Sequence, residues 1–106
     1  MVLQLANQPY EYIKTSFWDQ NEQFAELVKA NPQAKVPTLV FEDGTVMTES
    51  AAILLHFAEK VPGLIPLEPA KRAAFFRWMI FIPANIYAMF DIGDEPSRWV
   101  DGDALQ

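Results

Sequence analysis

Residues 36–50 read V-P-T-L-V-F-E-D-G-T-V-M-T-E-S, and this stretch predicts most of the local architecture. Residues 38–41 are rich in β-forming side chains. The dipeptide Asp43-Gly44 suits a tight hairpin turn with positive φ, and residues 45–48 supply the return strand. The stretch therefore predicts an antiparallel β-hairpin.

The two flanks of this hairpin carry further signals. Pro37 cannot donate a ladder hydrogen bond, so it marks the start of a strand, an edge strand or a cis turn. Ser50 is a predicted N-cap, because its hydroxyl can accept from the first backbone N–H groups of a helix. A Val-Pro loop, a hairpin and a Glu-Ser helix start in this order suggest a site for a small peptide. A plain hairpin followed by a helix is the alternative.

The stretch also resembles the glutathione-binding half of the glutathione S-transferase family. The family has N-P-x-x-x-V-P before the hairpin, here residues 31–37, then D-G at the turn and E-S followed by A-I-L. Residues 8–11 resemble the beginning of its second strand. Residues 72–90 resemble the first helix of its all-helical second domain. The likeness extends over about residues 5–99, which is more specific than any single short motif.

The resemblance implies an α/β fold. We expect a thioredoxin-like glutathione S-transferase N-terminal domain lacking its first strand, followed by part of an all-helical domain. Residues 1–63 are the expected incomplete glutathione-binding domain, 64–69 a linker, and 70–106 the start of the helical C-terminal domain. Two prolines in the linker predict a stiff, extended connection.

By this resemblance the sequence begins at the tail of the family's first helix, so the preceding segment with its catalytic Tyr, Ser or Cys has no counterpart. At the other end it stops after the first helix of the second domain, where the family continues through several more. The resemblance therefore implies a chain truncated at both ends, with its catalytic residue unknown. A missing central strand leaves a gap in the sheet. Either residues 10–16 pair directly with residues 38–41, or a second chain fills the space. We favour self-association, because a shift of a whole strand would disturb helix packing.

The resemblance also implies a set of glutathione-binding residues. The backbone of Val36 pairs with the cysteinyl part of the peptide, and Pro37 forms a cis turn. The carboxylate of Glu49 binds the ammonium of the γ-glutamyl end, while the hydroxyl of Ser50 and nearby helix amides bind its α-carboxylate. Lys35 pairs with the glycyl carboxylate. The alternatives are a structural proline, a helix cap alone and a solvated lysine.

Composition excludes several classes of function. The formal net charge is −6 with only eight basic residues, which argues against nucleic acid and anionic membranes as partners. The chain has no cysteine, so thiolate catalysis, disulfides and iron–sulfur clusters are excluded. We expect a cytoplasmic protein, since the first residues lack the pattern of a signal peptide. His56 is the single histidine, so we expect no metal site.

The remaining segments predict four further elements. Residues 10–16 predict a strand, and Asp19 with Glu22 predicts a capping box that starts a helix ending at Ala30. Residues 51–60 predict the helix after the hairpin. A long helix starting near residue 70 is expected to be buried and to bend at Pro83, since proline removes a backbone hydrogen bond.

Two function classes follow from these observations. The first is a glutathione S-transferase-like protein. The intact family conjugates the thiol of glutathione to electrophiles, and we expect little or no activity from this chain as it stands. The second is a non-catalytic, thioredoxin-like module for binding or dimerisation. Fold resemblance does not separate the two, because function depends on the site.

Overall fold

The computed structural model describes residues 2–16, 19, 21–94 and 96. Backbone proximity divides the chain into two compact units, Met1–Ile65 and Pro66–Gln106. The described elements of the first unit are helix α1 (Val2–Leu5), helix α2 (Glu22–Ala30), strands β1 (Leu39–Val40) and β2 (Val46–Met47), and helix α3 (Ser50–Ala58). The second unit contains helix α4 (Pro69–Phe81), a π-helical segment (Ile82–Tyr87) and helix α5 (Ala88–Asp94).

Helix α2 begins two residues later than the sequence predicts. Its N-cap is Asn21, whose side-chain oxygen accepts a hydrogen bond from the Phe24 backbone N–H at 3.1 Å. The predicted cap at Asp19 is therefore wrong, because Asn21 provides the same acceptor directly before the first helical residue. The helix ends at Ala30 as predicted. Asn31 follows in an extended conformation, as expected of a residue before proline.

The strand predicted at residues 10–16 is not formed. These residues have no regular secondary structure, and the side chains of Tyr12 and Ile13 are 78% and 62% exposed. Nor do they pair with residues 38–41, since the sheet of the described chain contains β1 and β2 alone. A strand requires a neighbouring backbone to complete its hydrogen bonds, and β-forming side chains do not replace that partner.

The predicted hairpin is present, with shorter strands. Leu39 lies opposite Met47 in an antiparallel ladder. The turn is closed by a hydrogen bond from the Phe41 N–H to the Thr45 carbonyl at 2.8 Å. Gly44 has φ +83°, the positive value that glycine adopts without steric cost. The start of β1 and the end of β2 therefore lie at the same end of the hairpin.

The small core of the first unit is built mainly from α3. Ile53, Phe57 and Ala58 are buried on this helix, together with Ile65 further along the chain. Helix α1 packs against α3. The helix that follows the hairpin is therefore held in place by burial of its apolar side chains in this core.

Within the second unit, residues 69–94 form one continuous helical segment whose middle is π-helical. Pro83 lies in the first turn of that π segment, and the predicted bend of the helix axis at this residue stays a prediction. The Asn85 side-chain amide donates to the Phe81 carbonyl at 3.1 Å, so a side chain satisfies a backbone acceptor in this region. The widened turn is therefore accommodated by local hydrogen bonding.

The prediction that this long helix is buried is wrong. No residue of α4, the π segment or α5 is buried, because no second element of its own unit covers it among the described residues. The segment Pro69–Asp94 is long and apolar enough to cross a membrane by length and composition, a test that core helices of soluble proteins also pass. Its large exposed apolar side chains are Trp78, Ile80, Phe81, Ile82, Ile86, Tyr87, Met89, Phe90 and Ile92.

Candidate functional site

The candidate site lies where the chain enters and leaves the hairpin. Val36 and Pro37 precede β1, while Glu49 and Ser50 follow β2. Because β1 and β2 are antiparallel, both segments leave the sheet at the same end. All four residues are exposed. Two segments that are separate in sequence thus form one accessible edge.

The first segment presents a free backbone donor. The Val36–Pro37 peptide bond is cis, as the sequence predicts. Val36 is 55% exposed, and its N–H has no acceptor among the residues that the structure describes. An exposed N–H next to a strand can pair with an extended peptide.

The second segment contains a strained residue. Glu49 has φ +69° and ψ +112°, a left-handed region that non-glycine residues seldom adopt. Glu49 is the N-cap of α3, yet its side chain makes no capping hydrogen bond. The sequence-based assignment of the N-cap to Ser50 is therefore wrong. The chain leaves β2 by an abrupt turn at Glu49, and Ser50 already has helical geometry.

Ser50 is the first residue of α3, a helix of nine residues. Its N–H and those of residues 51 and 52 have no intrahelical acceptor, because the first bond of the helix runs from the Ile53 N–H to the Glu49 carbonyl at 3.0 Å. No acidic side chain lies in the first turn. The positive end of the helix dipole, three N–H groups and a hydroxyl thus suit an anionic group such as a carboxylate.

Lys35 contributes to the first segment through its backbone. Its carbonyl accepts from the Thr38 hydroxyl at 2.7 Å and from the Asn31 side-chain amide at 3.0 Å. The Lys35 side chain is exposed. The predicted pairing of its ammonium with a glycyl carboxylate stays a prediction.

Asn31 also contributes to this edge, in a role that the sequence does not predict. It is the buried polar residue of the described chain, with 6% of its surface exposed. Its amide donates to the Lys35 carbonyl and, at 3.1 Å, to the Thr38 hydroxyl, and its side-chain oxygen accepts from the Gln33 N–H at 3.1 Å. A polar residue between a helix end and a proline is a weak signal for burial, because such positions usually face solvent.

His56 lies away from this edge, on α3. Its ring makes edge-to-face contacts with Phe41 at 5.5 Å and Phe57 at 4.9 Å between ring centroids. These contacts give it a packing role against the hairpin. The described residues contain no cluster of three His, Cys, Asp or Glu side chains that could hold a metal ion.

Comparison with known proteins gives a consistent result. The family model described as "Glutathione S-transferase, N-terminal domain" matches residues 1–64. An uncharacterised GST-like protein of Escherichia coli strain K12 is 39% identical over 101 residues, which cover 93% of this chain and 49% of that protein. A probable maleylacetoacetate isomerase of Caenorhabditis elegans is 45% identical over 75 residues, 69% of this chain and 34% of that protein.

A third relative is the glutathione S-transferase GstA of Escherichia coli O157:H7, 33% identical over 63 residues, 57% of this chain and 31% of that protein. The chain thus spans at most about half the length of these relatives. No solved structure matches the chain significantly.

Proposed function

Because this chain belongs to the glutathione S-transferase family, we propose that it binds glutathione at the edge formed by Val36, Pro37, Glu49 and Ser50. In this proposal the Val36 backbone pairs with the cysteinyl residue of the peptide. Glu49 and Ser50 bind its γ-glutamyl end, and Lys35 faces the glycyl carboxylate.

The observation that carries this proposal is the strained backbone conformation of Glu49. A non-glycine residue at φ +69° costs of order 1–3 kcal/mol, and such strain is concentrated at binding sites. The strain does not serve helix capping, because the Glu49 side chain makes no capping hydrogen bond. An exposed carboxylate held in this way suits the ammonium group of a γ-glutamyl residue.

The N-terminus of α3 supports the other half of the same contact. The γ-glutamyl end of glutathione carries an α-carboxylate beside its ammonium group. Ser50 and the two residues after it offer N–H groups without intrahelical acceptors, and the helix dipole favours negative charge there. Glu49 and the helix start therefore present opposite charges side by side, which matches a zwitterionic amino acid.

Binding of this kind does not by itself catalyse conjugation. The contacts to the γ-glutamyl end are common to the ground state and the transition state, so they do little for the chemical step. Activation requires a donor or dipole aimed at the sulfur to lower the thiol pKa. We therefore propose that this 106-residue chain, tested alone, binds glutathione but adds little to the rate of conjugation.

A second candidate function is a non-catalytic module for binding or dimerisation. The observation that favours it is the exposed apolar surface of α4, the π segment and α5. This helical segment belongs to the second unit and the candidate site to the first, so the two proposals concern different residues. A cytoplasmic location is part of both proposals, and the absence of cysteine from the chain supports it.

Titration calorimetry with glutathione tests the proposed site on the full chain. We expect Glu49→Gln to weaken binding about tenfold or more, because a hydrogen-bonded charge is removed. Cysteinylglycine, which lacks the γ-glutamyl residue, should bind weakly and equally to the parent and the variant. Glu59→Gln is the matched control, since Glu59 is an exposed glutamate at the other end of the same helix. Equal affinity of the parent chain and Glu49→Gln for glutathione would refute the assignment.

A further inference from the structure

Three hydrogen bonds join Asn31, Lys35 and Thr38 into a triangle beside the exposed residue Val36. The Asn31 side-chain amide donates to the Lys35 carbonyl at 3.0 Å and to the Thr38 hydroxyl at 3.1 Å. The Thr38 hydroxyl donates in turn to the same carbonyl at 2.7 Å. One backbone oxygen therefore receives two donors, and the two donor side chains are bonded to each other.

The position of Asn31 explains why this triangle is rigid. Its backbone N–H donates to the Leu27 carbonyl at 2.7 Å, which joins it to the end of α2. Its own carbonyl accepts from the Ala34 N–H at 2.8 Å, and its side-chain oxygen accepts from the Gln33 N–H. A buried amide with its donors and acceptors satisfied holds one rotamer, because releasing it would leave polar groups without partners.

The triangle determines the direction of the Val36 N–H. The carbonyl of Lys35 and the N–H of Val36 belong to one peptide group, which is planar. This peptide is trans, so the two groups point to opposite sides of the chain. Holding the carbonyl inward toward Asn31 and Thr38 therefore directs the N–H outward, where it has no acceptor in the described chain.

We infer that Asn31 and Thr38 are positioning residues for ligand recognition by the Val36 backbone. Neither side chain needs to touch the ligand. Together they orient the donor that an extended peptide such as glutathione meets, so the ligand does not have to order this loop on binding. The inference deepens the proposed function and rests on it for the identity of the ligand. The orientation of the loop itself is independent of that identity.

Two substitutions at Thr38 separate the effect of its hydroxyl group from the effect of its side-chain size. Thr38→Val keeps the shape but removes the hydroxyl that donates to Lys35, whereas Thr38→Ser keeps the hydroxyl. We expect Thr38→Val to weaken glutathione binding about five- to tenfold and Thr38→Ser to restore affinity to within about twofold of the parent chain. Asn31→Asp should weaken binding at least as much, because a carboxylate cannot donate to the Lys35 carbonyl.

Asn21→Ala is the matched control for a purely structural effect. Asn21 caps the opposite end of the same helix through its bond with the Phe24 N–H, so its loss destabilises α2 without touching the Val36 loop. Thermal unfolding should show that Asn21→Ala and Thr38→Val are both less stable than the parent. Only Thr38→Val should change glutathione affinity. Equal loss of affinity in the two variants would overturn the positioning role.

A ligand-free measurement distinguishes failure of this inference from failure of the proposed function. Amide hydrogen exchange and NMR shifts report on residues 35–38 directly. We expect Thr38→Val and Asn31→Asp, but neither Thr38→Ser nor Asn21→Ala, to alter the Val36 amide signal. If the parent chain binds no glutathione while these shifts occur, the ligand is wrong and the positioning role stands. An unchanged Val36 signal in Thr38→Val refutes the positioning role, whatever the ligand.

Discussion

The Thr45 backbone N–H donates to the Asp43 carboxylate at 2.8 Å, across the turn that joins the two strands. This bond lies within the turn of the hairpin, and the candidate site lies at the opposite end of the same hairpin. It also stabilises the charged form of Asp43, because the carboxylate accepts from a fixed backbone donor.

The first prediction concerns this turn. The backbone hydrogen bond from Thr45 lowers the pKa of Asp43 below its ordinary value of 3.8. The hydrogen bond therefore stabilises the folded chain fully above about pH 4, which is near the pKa of Asp43 in the unfolded chain. This stabilisation is lost as the pH falls through the lower pKa that Asp43 has in the folded chain. The stability advantage of the parent chain over Asp43→Ala should shrink in that acidic window. Carbon-detected NMR titration of Asp43 checks the direction.

Thr45→Val provides the control for the cause of this shift. The variant removes the Thr45 hydroxyl but keeps the backbone N–H, which is the larger cause of the lowered pKa. Asp43 should therefore still titrate below 3.8 in Thr45→Val, although less far below than in the parent. A normal or raised pKa of Asp43 in the folded parent chain would contradict the prediction.

The second prediction separates strain from binding at Glu49. Glycine adopts positive φ more readily than alanine, so Glu49→Gly should be more stable than Glu49→Ala by about 1 kcal/mol. Both variants lack the carboxylate and should bind glutathione equally weakly. Chemical denaturation measures the first difference and calorimetry the second. If Glu49→Ala is the more stable variant, the strain at this residue does not exist in solution.

The third prediction follows from the corrected helix cap. Ser50 is the first residue of α3 and not its N-cap, so Ser50→Ala should change stability by less than about 0.5 kcal/mol. Asn21→Ala, which removes a true capping bond of α2, should cost about 1 kcal/mol. Glutathione affinity should show the reverse order, with a loss in Ser50→Ala and none in Asn21→Ala. If Ser50→Ala and Asn21→Ala lose the same stability and the same glutathione affinity, Ser50 acts as a helix cap and not as a binding residue.

The fourth prediction is that the 106-residue chain alone conjugates glutathione to standard electrophiles no faster than background. The reacting species is the thiolate, and each unit by which the thiol pKa is lowered corresponds to about 1.4 kcal/mol of differential stabilisation. The γ-glutamyl contacts do not act on the sulfur. A conjugation assay decides the matter. Turnover above the uncatalysed rate that Glu49→Ala abolishes would mean that a residue of this chain activates the thiol.

The fifth prediction concerns self-association. The exposed apolar side chains of the helical segment should drive formation of dimers or larger species at micromolar concentration. Met89 is 74% exposed on this segment, so Met89→Glu should weaken association. Leu67 is 88% exposed but precedes the helix, and Leu67→Glu should leave association unchanged. Sedimentation velocity measures both, and a stable monomer of the parent chain would remove the proposal.

Some features of this chain follow from neighbouring residues alone. The turn at Asp43-Gly44 requires positive φ at the glycine, and the observed hairpin has it. Helix α2 ends before Pro32, because proline excludes the preceding residue from the helical region. Such steric and hydrogen-bonding effects act over three or four residues, so the sequence by itself determined the hairpin and the end of α2. The order of the motifs along the chain also identified its family.

Other features depended on which groups meet in space. Residues 10–16 have strand-forming side chains but pair with no strand among the described residues. The helical segment from residue 69 has core-like side chains, and no described element of its own unit covers it. Asn31 is buried although it is polar, and Glu49 has positive φ although it is not glycine. Pairing and burial are properties of contacts between segments, so the tertiary structure alone decided them.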